Sequence, residues 1–132
     1  MQQRLEQAKL FDAKAATGTT KAFPVADWKN IFLSLFTASS ANFTMNVKIS
    51  HQVAAPDFSA AASVTNQWAY AQVKLTINGT GIDWSISMIT TAGTDLANIY
   101  TVNVDGAMWI WATITAYAAG AVTLWITAKN NQ

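Results

Sequence analysis

The sequence predicts an all-β fold, an antiparallel β-sandwich or jelly-roll-like domain of about eight strands led by an N-terminal arm or short helix. Three observations carry this. Apolar and polar residues alternate with period two over most of the chain, as in Asn42-Phe-Thr-Met-Asn-Val-Lys-Ile-Ser50, where Phe43, Met45, Val47 and Ile49 oppose Asn42, Thr44, Asn46, Lys48 and Ser50. Gly, Asn and Asp punctuate these runs at short intervals, as hairpin and meander turns require. Beyond the first residues no stretch has helical periodicity, which argues against an α/β arrangement.

The elements follow in order. Leu5, Ala8, Phe11 and Ala15 recur near helical spacing, so residues 3–15 read as a short amphipathic helix or, alternatively, as an extended arm. The chain accordingly divides into an arm, residues 1–15, and a β-sandwich domain, residues 16–132. Thr19–Val25 is an edge strand, because Pro24 has no amide to give a central ladder. Strands are then expected at Lys29–Thr37, Asn42–Ser50, Gln67–Ile77, Ile82–Thr90, Asn98–Val104, Met108–Tyr117 and Ala121–Lys129. Ser39-Ser40, the stretch around Pro56, Asn78-Gly79, Ala92-Gly93, Asp105-Gly106 and Ala119-Gly120 separate them.

Several strands are apolar on both faces. Met108, Ile110, Ala112 and Ile114 oppose Trp109, Trp111, Thr113, Thr115 and Tyr117, and Val122, Leu124 and Ile126 oppose Thr123, Trp125 and Thr127. A hairpin across Ala119-Gly120 would bring Trp111 and Trp125 onto one neutral aromatic face. The tryptophans Trp28, Trp68, Trp84, Trp109, Trp111 and Trp125 suit core packing first, subunit contacts second and sugar stacking third. Trp109, Trp111, Tyr117 and Trp125 are the interface candidates on the body, and Leu5, Leu10 and Phe11 those on the arm.

Charge points the same way. Of the 15 Lys, Arg, Asp and Glu residues, eight lie in the first 29, and residues 30–132 hold only Lys48, Lys74, Lys129, Asp57, Asp83, Asp95 and Asp105. An ordinary soluble surface is roughly 25–35% charged, against 11% here, so much of the exterior is neutral or covered by protein. A net charge of +1 gives no long-range attraction for nucleic acid. Polar residues interrupt every apolar run well short of a membrane-spanning helix, and the opening residues lack a signal-peptide pattern. Asn42-Phe-Thr44 and Asn78-Gly-Thr80 fit the glycosylation pattern, which needs a secretory route.

No catalytic, cofactor or metal site is expected. There is no cysteine, His51 is the sole histidine, and no serine sits in a Gly-x-Ser-x-Gly elbow. Asp57, Asp83, Asp95 and Asp105 are isolated at loops, unlike the paired carboxylates of glycosidases or the clustered oxygens of a calcium site. Asp83 beside Trp84 and Asp105 near Trp109 are the only acidic neighbours for a sugar platform. Gly79-Thr-Gly81 has no third glycine or following helix to cradle phosphate.

Taken together, Ala16-Thr-Gly-Thr-Thr-Lys-Ala-Phe-Pro-Val25, the strand around Ile31–Phe36, Ala55-Pro-Asp-Phe-Ser-Ala-Ala60, Trp68–Tyr70, and Leu96–Val104 followed by Gly106 and Trp109 resemble small β-sandwich virion proteins of tailed bacteriophages. The resemblance spans roughly residues 10–130. It implies a non-enzymatic capsid decoration, cement or head accessory subunit, made in the host cytoplasm and carried on the virion. Such subunits pack against themselves, often as trimers, and dock on a major capsid or other virion protein. The alternatives are a glycan- or receptor-binding module of a tail fibre and a tail or adaptor ring subunit.

Overall fold

The computed structural model describes residues 5–75, 87–90, 95, 97–104 and 106–130. Asn78-Gly79-Thr80, Gly81, Asp83, Trp84, Asp105 and the first part of the strand expected at Ile82–Thr90 lie outside them. Among the described residues the protein is all-β, without a helix, and its pairings are all antiparallel. The segments are β1 (Leu5–Lys14), β2 (Gly18–Thr19), β3 (Phe23–Pro24), β4 (Asn30–Ser50), β5 (Ala69–Tyr70), β6 (Gln72–Leu75), β7 (Ser87–Thr90), β8 (Ala97–Asn103) and β9 (Trp109–Lys129).

Two strands of 21 residues each, β4 and β9, organise everything. They pair along their whole length, from Asn30 opposite Lys129 to Ser50 opposite Trp109. Fully extended, 21 residues reach about 70 Å, whereas a chain of this size has a radius of gyration of roughly 14 Å. The pair must therefore bend, and it does so together. On β4 the bend falls at Ser39 and Ser40, both with positive φ (63° and 56°), and on β9 at Gly120 (φ 94°). Register slips between Ala38 and Met45 accompany it, and the pairing beyond resumes in the register it had before.

The bend folds the sheet over its own inner face into a sandwich-like body. Its arm half carries the order β1-β9-β4-β8-β6, and its loop half has β2 and β3 beside β9, with β5 and β7 beside β4. Because side chains alternate, the same parity stays inside through the bend. Ile31, Leu33, Leu35, Ala41, Phe43, Met45 and Val47 of β4 and Ile110, Ala112, Ile114, Val122, Leu124, Ile126 and Ala128 of β9 belong to one buried cluster. Each fully buried Ile, Leu or Phe there contributes about 1.5–3 kcal/mol.

Three expectations are corrected. Residues 5–14 form strand β1, paired with β9 from Leu5 opposite Lys129 to Lys14 opposite Val122, so the short helix is not formed and the extended alternative is. Ser39-Ser40 and Ala119-Gly120 are bends inside continuous strands rather than turns between strands. Met108–Tyr117 and Ala121–Lys129 consequently form no hairpin: both are lengths of β9, and each pairs with β4. A side chain at Gly120 would collide with Ala41 and come within 2.8 Å of the Ala38 carbonyl, which is why glycine holds this corner.

Pro24 does lie on an edge. Together β1, β2 and β3 trace an interrupted strand along the outer side of β9, reaching Pro24 opposite Trp109. The Gln67–Ile77 stretch divides at Ala71, with β5 on β4 and β6 on β8.

Candidate interaction surfaces

The outer face of the loop half is covered by the chain itself. Residues 51–68 leave β4, cross this face and return to β5, fixed by their own polar groups. Asn66 is the hub: its side-chain oxygen accepts from the Asp57 amide at 2.7 Å, and its amide nitrogen donates to the carbonyls of Asp57 (2.9 Å) and Ala61 (3.1 Å). Ser50 Oγ donates to the Gln67 carbonyl and accepts from the Gln52 amide at 3.0 Å. The indole N–H of Trp68 donates to Ala60 O at 2.9 Å and that of Trp109 to Val53 O at 3.2 Å.

Beneath this loop lies Lys48. Its ammonium donates to Phe58 O at 3.0 Å and stands 3.9 Å from the Trp68 ring centroid, 5.4 Å from Trp111 and 5.7 Å from Tyr70. Phe58 packs on Trp111 at 4.9 Å, and Trp68 meets Tyr70 edge-on at 5.5 Å. Cation–π attraction offsets part of the cost of removing the ammonium from water, yet burial still lowers the Lys48 pKa below its ordinary 10.5. At the loop's surface the Ser59 hydroxyl and amide hold the Asp57 carboxyl below its ordinary 3.8.

Among the described residues, the arm half has an open outer face. Opposed residues on paired strands share a side of the sheet, so the register defines its rows. One row runs Lys9, Trp125, Ser34, Ile99, and the next Gln7, Thr127, Phe32, Thr101, Lys74. A third sets Thr123 beside Phe36 and Ala97. Phe36 is 45% and Leu5 60% exposed, while Phe32, Ile99 and Trp125 are half-buried. Lys9 Nζ stands 5.0 Å from the Trp125 ring and Lys129 Nζ 5.7 Å from Phe32. A shallow depression of about 260 Å³ lies among Phe32, Ser34, Ile99, Thr127 and Lys129.

The seven interface candidates thus fall in different places. Trp111 and Phe11 are buried within the chain, at 6% and 5% exposure. Tyr117 packs against the core and donates its hydroxyl to Gly120 O at 2.6 Å, bracing the bend; Leu10 also packs against the core. Trp109 is tied to the loop. Trp125 and Leu5 reach the open face of the arm half, so the Trp111–Trp125 platform does not exist. Phe32, Phe36 and Ile99 join that face without having been singled out, although Phe32 and Phe36 oppose Ile31, Leu33 and Leu35 in a stretch apolar on both sides.

His51 is exposed at the end of β4 and lines a cleft of about 210 Å³ with Ser50, Gln67 and Trp68. Among the described residues no three His, Asp or Glu side chains cluster in a metal-binding arrangement. No helix there is long and apolar enough to cross a membrane.

No protein-family model matches the chain, and a search of curated proteins returns no match. Solved structures do share the fold. The SPBc2 prophage-derived protein YomS superposes with a TM-score of 0.71 over 98% of this chain and 96% of its own, at 8% identity. The PBSX exported protein XepA gives a TM-score of 0.71 at 13% identity over 97% of this chain, which corresponds to 38% of XepA. At such identities the likeness is one of architecture: this chain shares its fold with these two proteins.

Proposed function

We propose that the protein is a non-enzymatic structural component of a phage particle, a capsid decoration or head accessory subunit that self-associates and docks on a lattice protein. The observation that carries this reading is the match in fold to the SPBc2 prophage-derived protein YomS, over 98% of this chain and 96% of that one. The open face of the arm half supplies a docking surface. It bears Phe32, Phe36, Ile99 and Trp125, with Lys9 beside the Trp125 ring and Lys129 beside Phe32. Burial of such area at about 25 cal/mol per Å² drives association without directional chemistry.

The reading makes a localisation prediction. Immunogold labelling of phage particles from cells carrying the gene is expected to decorate the particles. Label confined to the particle-free fraction would contradict a virion role.

A further inference from the structure

We propose that β1 is an exchangeable strand, which leaves its place on β9 and occupies the same place on a second copy of this chain. The inference rests on the self-association proposed above and specifies its device. A partner for the β9 edge needs backbone pairing over Val122–Lys129 and a side chain for the site that Phe11 fills. The chain's own β1 meets both needs, so every copy of β1 fits every copy of β9.

The hold on β1 is light. Of its ten residues only Phe11 is buried, with Ala8, Leu10 and Lys14 partly covered. Among the described residues, its side-chain ties to β9 are Gln7 Nε2 donating to Thr127 Oγ1 at 3.3 Å, the Ala13 amide donating to Thr123 Oγ1 at 3.1 Å, and Lys9 over Trp125. All of these re-form in exchange. On its other side β1 faces an open cleft of about 500 Å³, lined by Ala8, Lys9, Leu10 and residues 19–23 rather than closed against them.

The connection to the body is built to open. Just before it, within β1, Ala13 sits at φ 49°, a left-handed conformation that an alanine adopts under strain. Residues 15–17 are exposed and connect Lys14, opposite Val122, to Gly18, opposite Ile114, so they cut across the corner that β9 takes the long way through 115–121. Straightening residues 15–17 sends β1 outward, while the vacated edge receives an identical strand.

The chain has no cysteine, so an introduced pair is unambiguous. Gln7 and Thr127 are directly opposed, and opposed strand residues lie roughly 4.5–5.5 Å apart at Cα, within disulfide reach. In the Gln7→Cys/Thr127→Cys variant, sized by light scattering and then oxidised, the oligomeric fraction is expected to give covalently joined chains on non-reducing denaturing gels. Deleting Ala16 and Thr17, which shortens the return path, is expected to raise the joined fraction several-fold. An oligomer that gives only single chains with internal disulfides overturns exchange and leaves self-association standing. A protein that is monomeric throughout overturns both.

Discussion

Lys48 is the residue where local chemistry and packing are most tightly joined. Its ammonium is the polar end of an aromatic cluster that seats residues 51–68, and burial lowers its pKa. The unfolded chain therefore keeps a proton that the folded protein has begun to release, over a window ending near 10.5. Unfolding takes up a proton there, so stability rises as pH climbs through the lowered folded value toward 10.5. Lys48→Met removes this component. Urea midpoints measured against pH are expected to show wild type gaining on the variant across that window, and parallel curves would contradict the assignment. The caged lysine was not legible in the sequence. Alternation placed Lys48 on the outer face, but only the path of the loop reveals that Trp68, Tyr70 and Phe58 come to meet it.

At the scale of elements, the bend shared by β4 and β9 decides the fold. The strand stretches on either side of it could be read from alternation, since Ile31, Leu33 and Leu35 and then Phe43, Met45 and Val47 follow one parity. The corner could not. Ser39-Ser40 and Ala119-Gly120 carry residues suited to turns, and local sequence does not distinguish a reversal from a corner that two strands take together. That distinction lies in the long-range pairing of Ala38 with Ala121 and Asn42 with Ala119. Gly120→Ala tests the corner directly. Forcing alanine to φ 94° costs roughly 1–2 kcal/mol, and the contact with Ala41 adds to it. A fall in denaturation midpoint of at least that size is expected, and an unchanged midpoint would show that the corner relaxes.

On the scale of the whole molecule, sparse charge is the most informative signal, and the chain itself accounts for part of it. One of the two apolar second faces, that of Trp111, is covered by the chain's own loop under Phe58. The other, with Phe32, Phe36 and Trp125, is left open among the described residues. The fold is shared over 98% of this chain with a prophage-derived protein at 8% identity, as expected where cores tolerate extensive apolar exchange so long as volume and patterning are kept. The measurement that bears most directly on self-association through the open face is solution mass by light scattering over a dilution series, for wild type and for Phe36→Ser/Trp125→Ser. A trimer or larger ring that persists on dilution in wild type and dissociates in the variant is expected. A wild-type monomer at micromolar concentration, or a variant that remains fully assembled, would contradict it.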